Sequence, residues 1–367
     1  MISATGVNVQ SIFATSKDGD TIVLSGIFGR TKLDNRSFAK GITIDASNAR
    51  FSGQLTMRSV SGVTIKGGLF GLNPGAWQNG STVRTDLSSR VSFLNPVVVG
   101  AGLGRELGMS FIKSSDIKVW GGSFTGLRLG IGVSSVTNAT LTSNRFTNST
   151  SDGINIVDSH RVTASANICK SGAPSASAHP DCIQMWSGAG LPMQSDIMLL
   201  KNKAYGDTQG FTSFDPKAAS GIRISMIGNL VNTSLPQGIA CYGCFDSVVR
   251  NNTVFTIPGS RYRTMLHVPG GANNVVMDNT IGPFVKPVAF ATPFSGFAAS
   301  DSQDLIAFSA DESPNFDSSA LTMRYEETFA ALGAAAAVPE PAVWLHLVFG
   351  LGCAGVLLRR RRGVIAA

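Results

Sequence analysis

Charge is scarce in this chain, where Asp, Glu, Lys and Arg together make up only 14% of 367 residues. The formal net charge of +7 suggests a nucleic-acid partner until its source is located. Arg359, Arg360, Arg361 and Arg362 supply four of those charges, so a basic body of the kind that binds nucleic acid is not supported. Cysteine is scarcer, at five residues, and the pair Cys241-Tyr-Gly-Cys244 stands without the second pair that a structural zinc site needs. No P-loop, no dinucleotide fingerprint and no HExxH helix occurs in context, so no cofactor is evident. Low charge with 41 glycines favours an all-β chain, long enough for one elongated domain or two compact ones.

What the chain has instead is repetition. The pattern apolar-x-apolar-x-x-Asn ends at Asn144, Asn167, Asn202, Asn229, Asn252 and Asn279, with spacings of 23, 35, 27, 23 and 27. Weaker copies lie upstream at Gly62 to Gly67 and Ile117 to Gly122. A second row alternates with the first, starting at Asp152, Asp181, Gln209, Gln237 and Thr264. Alternation within it sends Ile154 and Ile156 inward, and Gly153 and Asn155 outward. Short β-rich pieces at a loose period of this size are the signature of a solenoid. Two rows of strands per repeat predict a single-stranded right-handed parallel β-helix over residues 21–282. A site needs one residue placed once, so six recurring asparagines read as a ladder of side-chain amides that holds register.

Solenoid ends expose strand edges and need caps. Residues 1–20 supply one, with Asn8 capping a short helix that shares Val9, Ile12 and Phe13 on one face. Residues 283–337 read as a carboxy-terminal cap and flexible linker. Residues 338–363 then run from Pro339-Glu340-Pro341 through apolar Ala342 to Leu358 into the arginine cluster. Seventeen helical residues rise about 26 Å, enough for a short transmembrane helix whose arginines stay cytoplasmic. This block resembles the PEP-CTERM sorting signal of Gram-negative bacteria that make exopolysaccharide. The resemblance implies export, an exosortase-type sorting enzyme as partner, and attachment to the inner membrane or cell surface. Met1 to Gln10 carries neither a basic nor an apolar leader segment, and the reading is that a signal peptide has been lost upstream.

Equivalent residues of adjacent coils lie about 4.8 Å apart, so Asp152 and Asp181 are neighbours. Paired carboxyls of this kind serve as acid and base on a glycosidic bond or share a cation such as calcium; they are also what ordinary turns carry. The interval of 35 contains an insertion, Lys170 to Ala178, that delivers His179 beside Asp181, and insertions on solenoids commonly build the binding face. His179 is then a candidate acid–base group or a turn residue. Gln184 and Trp186 follow on the next strand, Trp186 as a flat platform for a sugar ring. Asn155, Gln184, Thr212, Ala240 and His267 form one outward column, with His267 three coils from Asp181. Cys169 and Cys182 bracket the insertion and are disulfide candidates; Cys241 falls at an inward position.

Ser151-Asp-Gly-Ile-Asn-Ile and Pro180-Asp-Cys-Ile-Gln-Met resemble the catalytic strands of polygalacturonase-type hydrolases, parallel β-helices of the pectate lyase superfamily that act on acidic polysaccharide. Asp152 and Asp181 match catalytic aspartates of that pattern. Pro180 replaces the first of its paired aspartates, Gln209 replaces its histidine, and Arg223 lies on the other row. A lyase or epimerase of uronic acids would need a base and a cation, for which His179, Lys201, Lys203, Arg223 and His267 are the available groups. The expectation is an exported, membrane-anchored protein that binds and modifies an extracellular polysaccharide. Asp152, His179 and Asp181 would be catalytic, and Asn155, Gln184, Trp186, Gln209, Arg223 and His267 would bind substrate. The alternative is a non-catalytic surface or matrix protein that binds glycan.

Overall fold

The computed structural model describes residues 1–71, 80–100, 106–171, 174, 179–188, 191–213 and 221–282. They form an all-β parallel solenoid of about nine turns. Each full coil has three strands rather than two, so three faces run along the axis. Face A includes Leu129–Ser134, Ile154–Val157, Asp181–Trp186, Gln209–Ser213, Gln237–Cys241 and Met265–His267. Face B includes Thr137–Thr142, His160–Ser165, Ser195–Leu200, Gly221–Ile227 and Val248–Arg250. Face C includes Arg145–Thr147, Ile168–Ser171, Lys203–Gly206, Leu230–Thr233 and Thr253–Thr256. Face C is the row that periodicity misses. Its strands are three or four residues long and begin directly after the asparagine, too short to show an alternation of their own.

The asparagine ladder forms as the repeats imply. Asn167 Oδ1 accepts the backbone N–H and the Nδ2–H of Asn144, both at 3.0 Å. Asn167 Nδ2 in turn donates to Asn202 Oδ1 at 2.9 Å and to the Leu141 carbonyl at 2.8 Å. The same pattern continues through Asn229, Asn252 and Asn279. The residue before each rung, Ser143, Ala166, Lys201, Gly228, Asn251 or Asp278, has φ between 47° and 65° and turns the chain from face B to face C. A left-handed residue with a Cβ costs about 1 kcal/mol, which the buried amide bonds at the same corner offset. A shorter serine series sits at the corner between faces A and B: Ser88, Ser114, Ser159 and Ser247 accept backbone N–H groups from the coil before.

The interior is apolar and stacked. Phe51 lies between Phe28 and Phe70 at centroid distances of 5.1 and 4.6 Å, and Phe124 stacks on Phe146 at 5.0 Å;. Such pairs contribute about 0.5–1.5 kcal/mol beyond the area they bury. The strand register places Cys169 next in this column after Phe146.

At the amino-terminal end the helix Val9–Thr15 buries Val9 and Phe13, with Ile12 packed partly against the core. Asn8 does not cap the helix by its side chain. Its Oδ1 instead accepts the N–H of Thr5 at 2.7 Å. A strand that composition does not suggest, Ile2–Ala4, pairs in parallel with Thr21–Phe28 and so covers an edge of the first coil. The segments read as carboxy-terminal cap, sorting motif Pro339, Glu340, Pro341 and apolar span lie outside the described residues. Among the described residues no helix is long and apolar enough to cross a membrane.

Each interior asparagine satisfies two donors of one neighbour and one carbonyl of another. Asn202→Ala should therefore lower the denaturation free energy by about 1–3 kcal/mol through the orphaned Asn167 groups. Asn279→Ala, at the half-buried last rung, should cost less. Chemical denaturation of the two variants checks the order; equal effects would mean that the ladder does not carry load.

Candidate functional site

Face A aligns the site residues by register. Asn155 pairs with Gln184, Gln184 with Thr212, Thr212 with Ala240 and Ala240 with His267, so the column is in register as the spacing implies, but Gln184, Thr212 and Ala240 within it are buried and only Asn155 and His267 are partly exposed. Gly153 does not point outward. The strand begins at Ile154, and the turning backbone before it buries Gly153 against the core. A Cβ there would sit 2.7 Å from the Cys182 carbonyl and 2.8 Å from Cys169 Sγ. Cys169 and Cys182 form a disulfide across the interior beneath Asp181, and Cys241 and Cys244 form a second that closes a tight turn.

Asp181 is fully buried, and its oxygens are taken up by donors. Oδ2 accepts His179 Nδ1–H at 2.8 Å and Gln184 Nε2 at 3.2 Å, and Oδ1 accepts the Thr212 hydroxyl at 2.9 Å. Asp152 is nearly as buried; its Oδ1 accepts the backbone N–H of Asp181 at 3.1 Å and its Oδ2 accepts Asn155 Nδ2 at 3.0 Å. Asn155 also donates to Gln184 Oε1 at 2.8 Å and accepts Trp186 Nε1–H at 3.0 Å. Asp152, Asn155, His179, Asp181, Gln184, Trp186 and Gln209 are thus one hydrogen-bonded network.

His179 is the most accessible acid–base group in it, with 35% of its side chain exposed. Burial works against its charge, but the Asp181 carboxylate outweighs burial and raises its pKa from 6.5 to about 9. Asp152 moves the other way for a carboxyl. Burial first, and the charge of Asp181 second, push it from 3.8 up to about 7. Gln209 Nε2 lies 3.2 Å from His179 Nε2, a geometry that suits the neutral imidazole. The protonated ring would favour the turned amide, which brings the otherwise unpartnered Gln209 Oε1 to the N–H.

Two expectations change. Arg223 lies on face B, exposed, and donates to Asp196 Oδ2 at 2.8 Å in a row of surface pairs; it does not reach face A. The carboxyl pair does not fit calcium. Its oxygens face N–H and O–H donors, and among the described residues no group of three His, Cys, Asp or Glu side chains could hold a metal. His267 is on the right face but three coils away, where burial lowers its pKa.

Tyr242 is the residue that sequence reasoning missed. The Cys241–Cys244 turn holds it, its N–H donates to the Ser213 carbonyl at 2.9 Å, and its ring meets His267 edge-on at 5.4 Å. Burial, and then the charge of Asp181, raise its phenol. The CxxC spacing marks the turn, but only the fold lays Tyr242 against His267 and within reach of the Asp181 charge.

No family model and no curated protein matches this chain. Solved structures do. An alginate lyase from Paenibacillus sp. str. FPU-7 is 19% identical over 76% of this chain and 98% of its own, with a TM-score of 0.53. A PL6 alginate lyase in complex with a trisaccharide is 15% identical over 70% and 60%, at 0.45. PfbA, a surface adhesin of Streptococcus pneumoniae, is 12% identical over 77% of each chain, at 0.45. The likeness is one of fold.

The two shifted groups predict opposite pH windows. A carboxyl held above its ordinary value favours the fold while protonated, so Asp152 should cost stability as pH rises from 3.8 through about 7. His179 contributes stability that is complete below 6.5 and lost as pH rises through about 9. Thermal melts at about pH 4, 7 and 10 should show Asp152→Asn gaining on the wild type over the first interval, and His179→Gln losing its deficit over the second. Parallel curves would mean that neither group is coupled to the fold.

Proposed function

We propose that this protein binds an extracellular polysaccharide along face A and transfers a proton on it through His179, oriented by Asp181. The observation that carries this reading is the His179–Asp181 pair, in which a fully buried carboxylate orients an imidazole that remains partly exposed. Such a pair provides a base at a stated atom, Nε2, near the partly exposed Asn155 and Trp186. Asp152 and Asp181 turn their oxygens toward internal donors, which supports proton transfer by imidazole over a carboxylate pair flanking a glycosidic bond. Lyase or epimerase chemistry on a uronic acid fits best: Nε2 takes the proton from the carbon that bears the sugar carboxylate, after which either the glycosidic C–O bond at the next carbon breaks, leaving a double bond while the departing oxygen takes a proton from water, or water returns a proton to the same carbon from the opposite face. The fold shared with an alginate lyase supports a polysaccharide as ligand. Asn155, Trp186 and Tyr242, which are partly exposed, would position it.

Export and attachment through the segment 338–363, with an exosortase-type partner, complete the proposal. Two disulfides among the described residues support an oxidising compartment. A glycan-binding protein without catalysis is the second reading, favoured by the complete internal satisfaction of Asp181.

The test is to incubate the protein with polyuronic and neutral polysaccharides. Products absorbing in the ultraviolet mark a lyase, new reducing ends without them a hydrolase, and NMR detects epimerisation. His179→Ala should lower kcat/KM about 10²–10⁴-fold, and the wild-type rate should rise with pH toward about 9 as the imidazole deprotonates. Unchanged activity in both His179→Ala and Asp181→Ala would remove the site assignment.

A further inference from the structure

The corner between faces C and A carries a second feature besides the His179 insertion. Connections there are two residues long at 207–208 and three at 234–236, but long at 172–180 and again at 257–264. Of the two long connections, 257–264 is described throughout and borders face A, and 172–180 delivers His179 at the same edge. Asp181 aligns with Gln209, and Gln237 with Met265, so the ends of the two connections are three coils apart, about 14 Å along the axis.

The 257–264 connection is built to hold its shape. Thr264 N–H donates to Thr256 Oγ1 at 2.9 Å and Thr264 Oγ1 donates to the Thr233 carbonyl at 2.8 Å, which closes the base of the loop. Near the tip, Ser260 Oγ donates to the Ile257 carbonyl at 2.7 Å across Pro258 and Gly259. This frame presents Arg261, Tyr262 and Arg263, all exposed, with the Arg261 guanidinium 5.2 Å from the Tyr262 ring centroid. Among the described residues neither guanidinium is in an ion pair. A cation stacked on a ring, with a second exposed cation next in the chain, matches an anionic, hydroxyl-rich chain: guanidinium for the acidic group, ring for the sugar.

We infer that Arg261, Tyr262 and Arg263 form a distal subsite that selects an anionic polysaccharide lying along the solenoid axis, with its reacting sugar at His179. This rests on the reading of face A as the glycan-binding face and supplies the charge selection that His179, already paired to Asp181, does not. It extends the site three coils, one sugar position for roughly each coil of the solenoid.

Equilibrium binding of the full chain to polymannuronate, a sulfated glycan, a neutral glucan and anionic lipid vesicles, at low and high salt, tests it. The wild type should prefer the anionic glycans, and the two of them separate carboxylate from sulfate recognition. Arg261→Gln with Arg263→Gln should weaken their binding about tenfold and flatten its salt dependence. Neutral-glucan binding and the activity on short oligosaccharides should be unchanged. Polyuronate binding equal in wild type and double variant overturns the subsite while leaving the His179 reading intact. Binding of vesicles but not glycan also overturns it, and a wild type that binds no glycan overturns both. Far-ultraviolet circular dichroism confirms that the variant is folded, and Tyr262→Ala provides an independent loss of affinity from the same loop.

Discussion

Everything in this molecule hangs on stacking at a fixed rise. Parallel strands must lie about 4.8 Å apart to share hydrogen bonds, so each coil has to end where the next can begin above it. The corners enforce that closure. At the corner after face B a left-handed residue turns the chain, and an asparagine then bonds the coils on both sides of it. Neither part suffices alone: the left-handed residue is a local cost, and the buried amide is a liability unless its partners stand in register. Each coil is thus stable because its neighbours are.

The same constraint creates the site. Stacking brings Asp152 and Asp181, twenty-nine residues apart, close enough for one to accept the backbone N–H of the other. It also buries two carboxyls side by side, so that burial first and the charge of Asp181 second hold Asp152 above its ordinary range. The surroundings are adapted to this load. The phenylalanine column gives way to Cys169, whose disulfide to Cys182 ties face C to face A directly under Asp181, and Gly153 leaves room for its sulfur. His179 supplies a compensating charge from a loop rather than from a coil. The repetitive scaffold supplies position, while the irregular connections supply chemistry.

That division recurs along the edge of face A. Short connections separate two long ones, which carry His179 at one end and the Arg261–Arg263 loop at the other. Between them Gln184 and Thr212 are buried, while Trp186 and Tyr242 are partly exposed. On the proposed reading a polysaccharide would lie along this edge and repeat with the coils beneath it.

The sequence by itself determined the repeat, the amide ladder, the column from Asn155 to His267 and the proximity of Asp152 to Asp181, because these follow from position along a periodic chain. A column fixes which residues are level with which, whatever the rest of the fold does. The number of faces was not legible, since the three-residue strands of face C are shorter than one full alternation. Nor was the role of each polar group. Arg223 belongs to an outer charge row, Thr212 completes the shell of Asp181, and the Cys241–Cys244 turn presents Tyr242. Those assignments depend on side-chain direction and burial at the corners. There the alternation rule fails, and only the three-dimensional path of the backbone decides what faces what.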